Sequence, residues 1–124
     1  MSDLIDAFIT TGTNKGLYYG GAFRAAKTDA VVHVTNPATA TVFTTVPDGT
    51  LADVDAAVAA ARSAFGDWSA LDPIDRARHL RRFADVIREN IPKLAVLETI
   101  VTGRALKEMK AQMGRIPEWI EYFA

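Results

Sequence analysis

The sequence predicts an α/β fold in which short strands, two of them forming a β hairpin, precede several helices. Runs of β-branched and aromatic residues between glycines and prolines occupy residues 17–46, and helical periodicity follows from residue 53 onward. The composition, 49% hydrophobic and 23% charged with a net charge of −1, is typical of a globular protein and indicates no particular partner. We predict an N-terminal arm over residues 1–16 and one α/β unit over residues 17–124.

The strand region contains three candidate segments. Residues 17–23 combine aromatic side chains with the pair Gly20 and Gly21, which predicts a short strand running into a turn. Residues 31–36 form a second candidate strand, and residues 41–46 form a third with alternating β-branched side chains. Because only residues 37–40 separate the last two, we expect them to pair as a hairpin.

An alanine-rich helix follows the strands. Thr50 and Asp53 have the spacing of a capping box at its start, and Gly66 lies near its predicted end. Its large apolar side chains fall on one narrow stripe, which therefore needs a partner surface: Val54, Val58, Ala61, Phe65 and Trp68. We interpret Trp68 and Trp119 as helix-end anchors rather than ligand platforms.

The second helix has a clear predicted start, because Asp72 can cap it, Pro73 suits its first position and Asp75 faces the positive end of its dipole. Its apolar residues are Leu80, Phe83, Ala84 and Ile87. Asn90 and Pro92 predict an interruption before a further helical segment that ends at a left-handed Gly103.

The last predicted helix begins near Leu106 and carries its apolar residues on one arc: Leu106, Met109, Met113, Ile116 and Ile120. Gly114 and Pro117 are expected to weaken or bend it. The apolar helical pattern continues to Ala124 without a stop signal, so we expect the natural polypeptide to continue.

The sequence offers no residue set for catalysis, cofactor binding or metal binding. It has no cysteine, which excludes a thiolate nucleophile, and it has no glycine-rich phosphate-binding motif. His33 and His79 lie on different predicted elements without metal-ligand spacing, so we interpret them as a strand residue and a helix-flank residue. We therefore predict no catalytic, cofactor-binding or metal-binding residue.

Arginines concentrate on the second helix, which raises nucleic-acid binding as an alternative function: Arg76, Arg78, Arg81, Arg82 and Arg88. Asp85 and Glu89 share that face and dilute its positive potential, which favours a solvated helix surface. Early acidic residues and the lack of a long apolar run predict a cytoplasmic protein that binds neither nucleic acid nor membrane.

Several segments together resemble the opening of an NAD(P)-dependent aldehyde dehydrogenase, over roughly residues 17–124. Their order and spacing carry the resemblance, since none is specific alone. The segments are residues 17–21, 35–39, 46–50, 53–58, Ala64 and Phe65 with Trp68, 76–85, 97–99, and Thr102 with Gly103.

The resemblance implies a β hairpin and helices that pack against a dinucleotide-binding domain and are incomplete without the rest of the enzyme. The catalytic cysteine, general-base glutamate, oxyanion-hole asparagine and glycine-rich loop of the family lie further along a longer chain. The complete enzyme would oxidise an aldehyde with NAD or NADP and form a homo-oligomer or hetero-oligomer. This chain alone would bind no cofactor and be inactive, and its partner would be the remaining polypeptide, in the same or a separate chain.

Two further expectations follow from the resemblance. An apolar arc on the last helix, comprising Leu106, Met113, Ile116, Ile120 and Phe123, would be exposed without the remaining polypeptide. Many family members also bind a monovalent cation through carbonyls equivalent to those of Val34 and Thr35 and through an aspartate where this chain has Val101. The alternative function from another class is a non-catalytic helical protein-interaction module.

Overall fold

A computed structural model describes residues 16–124, so the predicted N-terminal arm lies outside the described residues apart from Gly16. The elements are β1 (Leu17–Tyr19), β2 (Ala22–Arg24), β3 (Val31–Asn36), β4 (Thr41–Pro47), α1 (Leu51–Ala70), α2 (Pro73–Thr102) and α3 (Leu106–Phe123). They belong to two compact units. Within the described residues, unit 1 comprises 16–35 and 40–69, and unit 2 comprises 36–39 and 70–124.

The predicted strand over residues 17–23 is a complete small hairpin. β1 pairs antiparallel with β2, with Tyr18 opposite Phe23, and the two rings meet edge to face with centroids 5.0 Å apart. Gly20 and Gly21 have φ angles of 60° and 76°, which a tight hairpin turn requires and which side chains disfavour. The glycine pair thus returns the chain as a second strand, which the sequence interpretation lacked.

The predicted hairpin is confirmed, since β3 and β4 form a two-stranded sheet. Its connection is held locally: Asn36 Oδ1 accepts a hydrogen bond from the Ala38 N–H at 2.9 Å. Ala40 then adopts a left-handed φ of 54°. Such an asparagine-anchored turn reverses the chain in few residues.

α1 begins as predicted after Thr50 but continues past Gly66 to Ala70. Its one buried residue is Asp53. The apolar stripe is largely uncovered, with Val54 54% exposed, Phe65 65% exposed and Trp68 40% exposed. The expectation that a partner surface covers this stripe remains a prediction.

The predicted interruption at Asn90 and Pro92 is wrong, because α2 runs unbroken from Pro73 to Thr102. A proline inside a helix removes one backbone donor and crowds the preceding turn, at a cost of about 3 kcal/mol. Packing offsets this cost: α2 packs against α3, and the small side chains of Ala84 and Ala95 are fully buried. Tertiary packing thus overrides the local signal.

α3 is likewise continuous through Gly114 and Pro117, and Pro117 is buried. Met109 is 1% exposed and is the largest fully buried side chain of unit 2. The expected exposed arc is wrong for four of its members, since Leu106, Met113, Ile116 and Ile120 are half-buried. Exposure is instead concentrated at the end of the helix, in Trp119, Tyr122 and Phe123 (59%, 82% and 79%).

Candidate functional site

Asp53 is the one buried charged side chain in the described part of the chain, with 2% of its surface exposed. Its Oδ2 accepts hydrogen bonds from the Thr50 N–H at 2.9 Å, the Thr50 hydroxyl at 2.8 Å and the Lys27 N–H at 3.2 Å. The Asp53 N–H donates back to Thr50 Oγ1 at 3.3 Å. The predicted capping box is therefore confirmed, and it also fastens the loop at Lys27 to the start of α1.

These contacts decide the charge of Asp53. The pKa of this carboxyl is lowered mainly by the hydrogen bond from the Thr50 N–H and next by the hydrogen bond from the Thr50 hydroxyl. Burial opposes this shift, and Lys27 lowers the pKa further. The Lys27 ammonium group also donates a hydrogen bond to the Ala52 carbonyl at 3.0 Å. Asp53 Oδ1 is sealed from solvent without a partner in the described structure. Asp53 is therefore a buried, ionised carboxylate that joins the loop at Lys27 to the start of α1.

Three of the five arginines of α2 have hydrogen-bond partners in the described structure. Arg78 pairs with Asp75 at 2.6 Å, and Arg76 donates to the carbonyl of Leu71. Arg88 contacts Asp85 and, across the helix pair, Glu121, both at 2.5 Å. The hydrogen bond from Arg88 to Glu121 is the main cause that raises the arginine pKa. This arrangement fits a solvated helix face better than a phosphate-binding surface.

The end of α2 is fixed by Gly103, whose φ of 76° confirms the predicted left-handed stop and whose N–H donates to the Thr99 carbonyl at 2.9 Å. A Cβ at this position would lie 2.8 Å from Pro37 Cγ.

Two residues before Gly103, the side chain of Val101 is 39% exposed and offers no oxygen ligand. The side chain at this position does not fit the charged part of the family's cation site.

The two histidines remain apart from any metal-ligand set. His33 on β3 and His79 on α2 both have exposed side chains. Among residues 16–124, no three His, Cys, Asp or Glu side chains are grouped closely enough to hold a metal ion. Over the same residues, no helix is long and apolar enough to cross a membrane.

A family model described as the aldehyde dehydrogenase family matches residues 23–124. The hydroxyisobutyraldehyde dehydrogenase of Mycolicibacterium austroafricanum is 36% identical over 119 residues, which cover 96% of this chain and 24% of that protein. The betaine aldehyde dehydrogenase of Brucella anthropi is 41% identical over 107 residues, covering 86% of this chain and 22% of that protein. The chain belongs to the aldehyde dehydrogenase family.

Solved structures extend the match to the fold. The betaine aldehyde dehydrogenase of Staphylococcus aureus in complex with NAD+ overlays with a TM-score of 0.89 at 32% identity, over 98% of this chain and 24% of that one. Lactaldehyde dehydrogenase from Escherichia coli gives a TM-score of 0.84 at 31% identity, over 89% and 23%. The chain thus spans about a quarter of the length of its relatives and corresponds to their N-terminal portion.

Two features escaped the sequence interpretation. Lys27 is the third partner of Asp53 from 26 residues away, and no local motif marks such a contact. A cavity lined by residues of α2, of the turn after it and of α3 depends on how the two helices pack. Periodicity indicated which helix faces are apolar, but it could not indicate where a gap remains between them.

Proposed function

We propose that this chain is the N-terminal scaffold of an NAD(P)-dependent aldehyde dehydrogenase. The supporting observation is the match of residues 23–124 to the family within a chain that spans about a quarter of its relatives. The remaining polypeptide, in the same or a separate chain, would supply the nucleophile and the cofactor site. The sequence contains no cysteine, so this chain cannot provide a thiolate.

The proposal gives the exposed apolar stripe of α1 a role. Val54, Val58 and Phe65 are 54%, 47% and 65% exposed, which is costly for large side chains unless a partner covers them. In the complete enzyme the remaining polypeptide would cover this stripe. NAD or NADP would be bound by that polypeptide, and residues 17–124 would be a structural part of a cytoplasmic, oligomeric enzyme.

A chimera tests the proposal. Residues 23–124 replace the matching segment of the S. aureus betaine aldehyde dehydrogenase, and aldehyde-dependent NAD+ reduction is measured. We expect the chimera to fold and turn over, whereas the isolated chain has no turnover after rigorous repurification. Phe65→Asp should disrupt the chimera because it places a charge on the covered stripe. Arg62→Asp, a matched change on the same helix, should preserve activity.

A helical protein-interaction module is the second candidate, favoured by the same exposed apolar side chains. The chimera separates the two functions. If it fails to fold while the isolated chain is a monodisperse monomer with a cooperative unfolding transition, the scaffold proposal falls and the module takes its place. Activity in the chimera that is indifferent to Phe65→Asp would also contradict the proposed role of the stripe.

A further inference from the structure

Unit 2 contains an open cavity of about 330 Å³ lined by residues of α2, of the turn that follows it and of α3. Its apolar wall is formed by Met109, Met113, Ile116 and Trp119. Met109 is 1% exposed and lies deep, whereas Trp119 is 59% exposed and lies at the mouth. Flexible thioethers and an accessible indole adapt to an apolar side chain better than a rigid aliphatic wall does.

The polar wall of the same cavity is unbalanced in charge. Its lining residues include two arginines, Arg104 and Arg115, and one acidic residue, Glu98. Arg104 donates to the neutral Gln112 Oε1 at 2.8 Å. Neither cavity arginine forms an ion pair with an acidic residue within 4.0 Å among residues 16–124, whereas Arg78 and Arg88 do.

An arginine without an acidic partner selects its ligand by geometry. Its planar fork of N–H donors matches a carboxylate, and such charge-assisted bonds are stronger than those to neutral acceptors. Glu98 contributes repulsion to an incoming acid, but the two guanidinium groups leave a net attraction. The cavity therefore favours a carboxylate attached to an apolar group.

We propose that this cavity receives an acidic side chain, flanked by an apolar one, from the remaining polypeptide of the same enzyme. The inference rests on the proposed function. This chain overlays the S. aureus enzyme over 98% of its own length but covers only 24% of that chain, so most of the relative's polypeptide lies outside the matched portion. The positive charge and the apolar wall of the cavity make it a suitable docking point for that polypeptide.

A peptide probe tests the recognition chemistry on the full 124-residue chain. Acetyl-Leu-Asp-Leu-amide is titrated while the indole N–H resonance of Trp119 is followed by NMR, and acetyl-Leu-Asn-Leu-amide serves as the uncharged control. We expect a saturable shift with the aspartyl peptide and at least tenfold weaker binding of the control. Arg115→Gln should remove the preference, Arg115→Lys should keep part of it, and Arg81→Gln, on the exposed face of α2, should leave it unchanged.

Equal binding of both peptides, or none, overturns the proposed recognition, and it does so without touching the scaffold proposal. The chimera described above then tests the occupant. Arg115→Glu should lower its melting temperature by several degrees and leave that of the isolated chain unchanged, because the acid is present only in the chimera. An equal fall in both proteins, or no fall in the chimera, would show that no acidic segment docks here. A chimera that never folds, together with an isolated chain that is a monodisperse monomer with a cooperative unfolding transition, removes the scaffold proposal and this inference together.

Discussion

α1 and the α2–α3 pair differ in how their apolar side chains are covered. Within the pair, Ala84 and Ala95 are fully buried and Met109 is 1% exposed, so unit 2 has a small core of its own. On α1 the buried residue is a charged one, Asp53, and the apolar stripe is exposed. The pair is stabilised by its own packing, whereas the start of α1 is held by the hydrogen bonds of Asp53 and the apolar stripe of α1 is exposed in the described structure.

The largest expected effect comes from removing the core of the pair. Met109→Ala leaves a cavity at a fully buried position and should cost about 2–5 kcal/mol of the free energy of unfolding of unit 2. Urea unfolding followed by Trp119 fluorescence in a Trp68→Phe background measures it. The control Met113→Ala, at a half-buried position, should cost clearly less. Equal losses would show that Met109 is not the centre of the core.

A smaller effect is expected where the pair makes its turn. Gly103→Ala places a side chain at a φ of 76° and 2.8 Å from Pro37 Cγ, so it should destabilise unit 2 by about 1–2 kcal/mol in the same urea experiment. Gly114→Ala is the matched control. Its Cβ would meet nothing within 4 Å, and it should stabilise α3 by about 0.5–1 kcal/mol. A change in stability of the same sign for both substitutions would contradict the left-handed conformation of Gly103.

The hydrogen bonds that Asp53 accepts from Thr50 and Lys27 at the start of α1 predict that the stability of this region falls at acid pH. Because the pKa of Asp53 is lower in the folded state than its ordinary value of 3.8, its contribution to stability is present above that value. This contribution is lost as the pH falls through the lowered pKa. The amide resonances of Lys27 and Thr50 should therefore broaden or shift below about pH 4. Asp53→Asn should remove this acid transition, and its persistence in the variant would assign it to another carboxyl.

The smallest effect concerns the missing cation ligand. With valine at position 101, sodium or potassium should not raise the melting temperature beyond an ionic-strength effect matched by a bulky organic cation. Val101→Asp should create ion-selective stabilisation that follows RT ln(1 + [L]/Kd). Equal selectivity in both proteins would show that backbone carbonyls suffice and that the side chain at 101 does not decide the site.

Features that depend on local backbone chemistry could be predicted from the sequence, whereas features that depend on packing or on distant segments could not. Thr50 with Asp53, Pro73 and Gly103 mark helix ends through short-range backbone chemistry, and each is found where the sequence placed it. Pro92 was expected to interrupt a helix, yet α2 is continuous through it, because packing between α2 and α3 outweighs the local cost of the proline. The Lys27 contact and the cavity depend on distant segments and have no local signature.

The connection between α2 and α3 spans only residues 103–105. Closing so short a loop costs little chain entropy, and helical hairpins with local contacts form on the microsecond to millisecond scale. The ion pair from Arg88 to Glu121 joins residues 33 positions apart, which is still a modest separation along the chain. Contacts this local favour rapid formation of the helix pair, and the formed pair presents Trp119, Tyr122 and Phe123 to solvent. Exposed aromatic side chains of this kind are a surface that chaperones can bind.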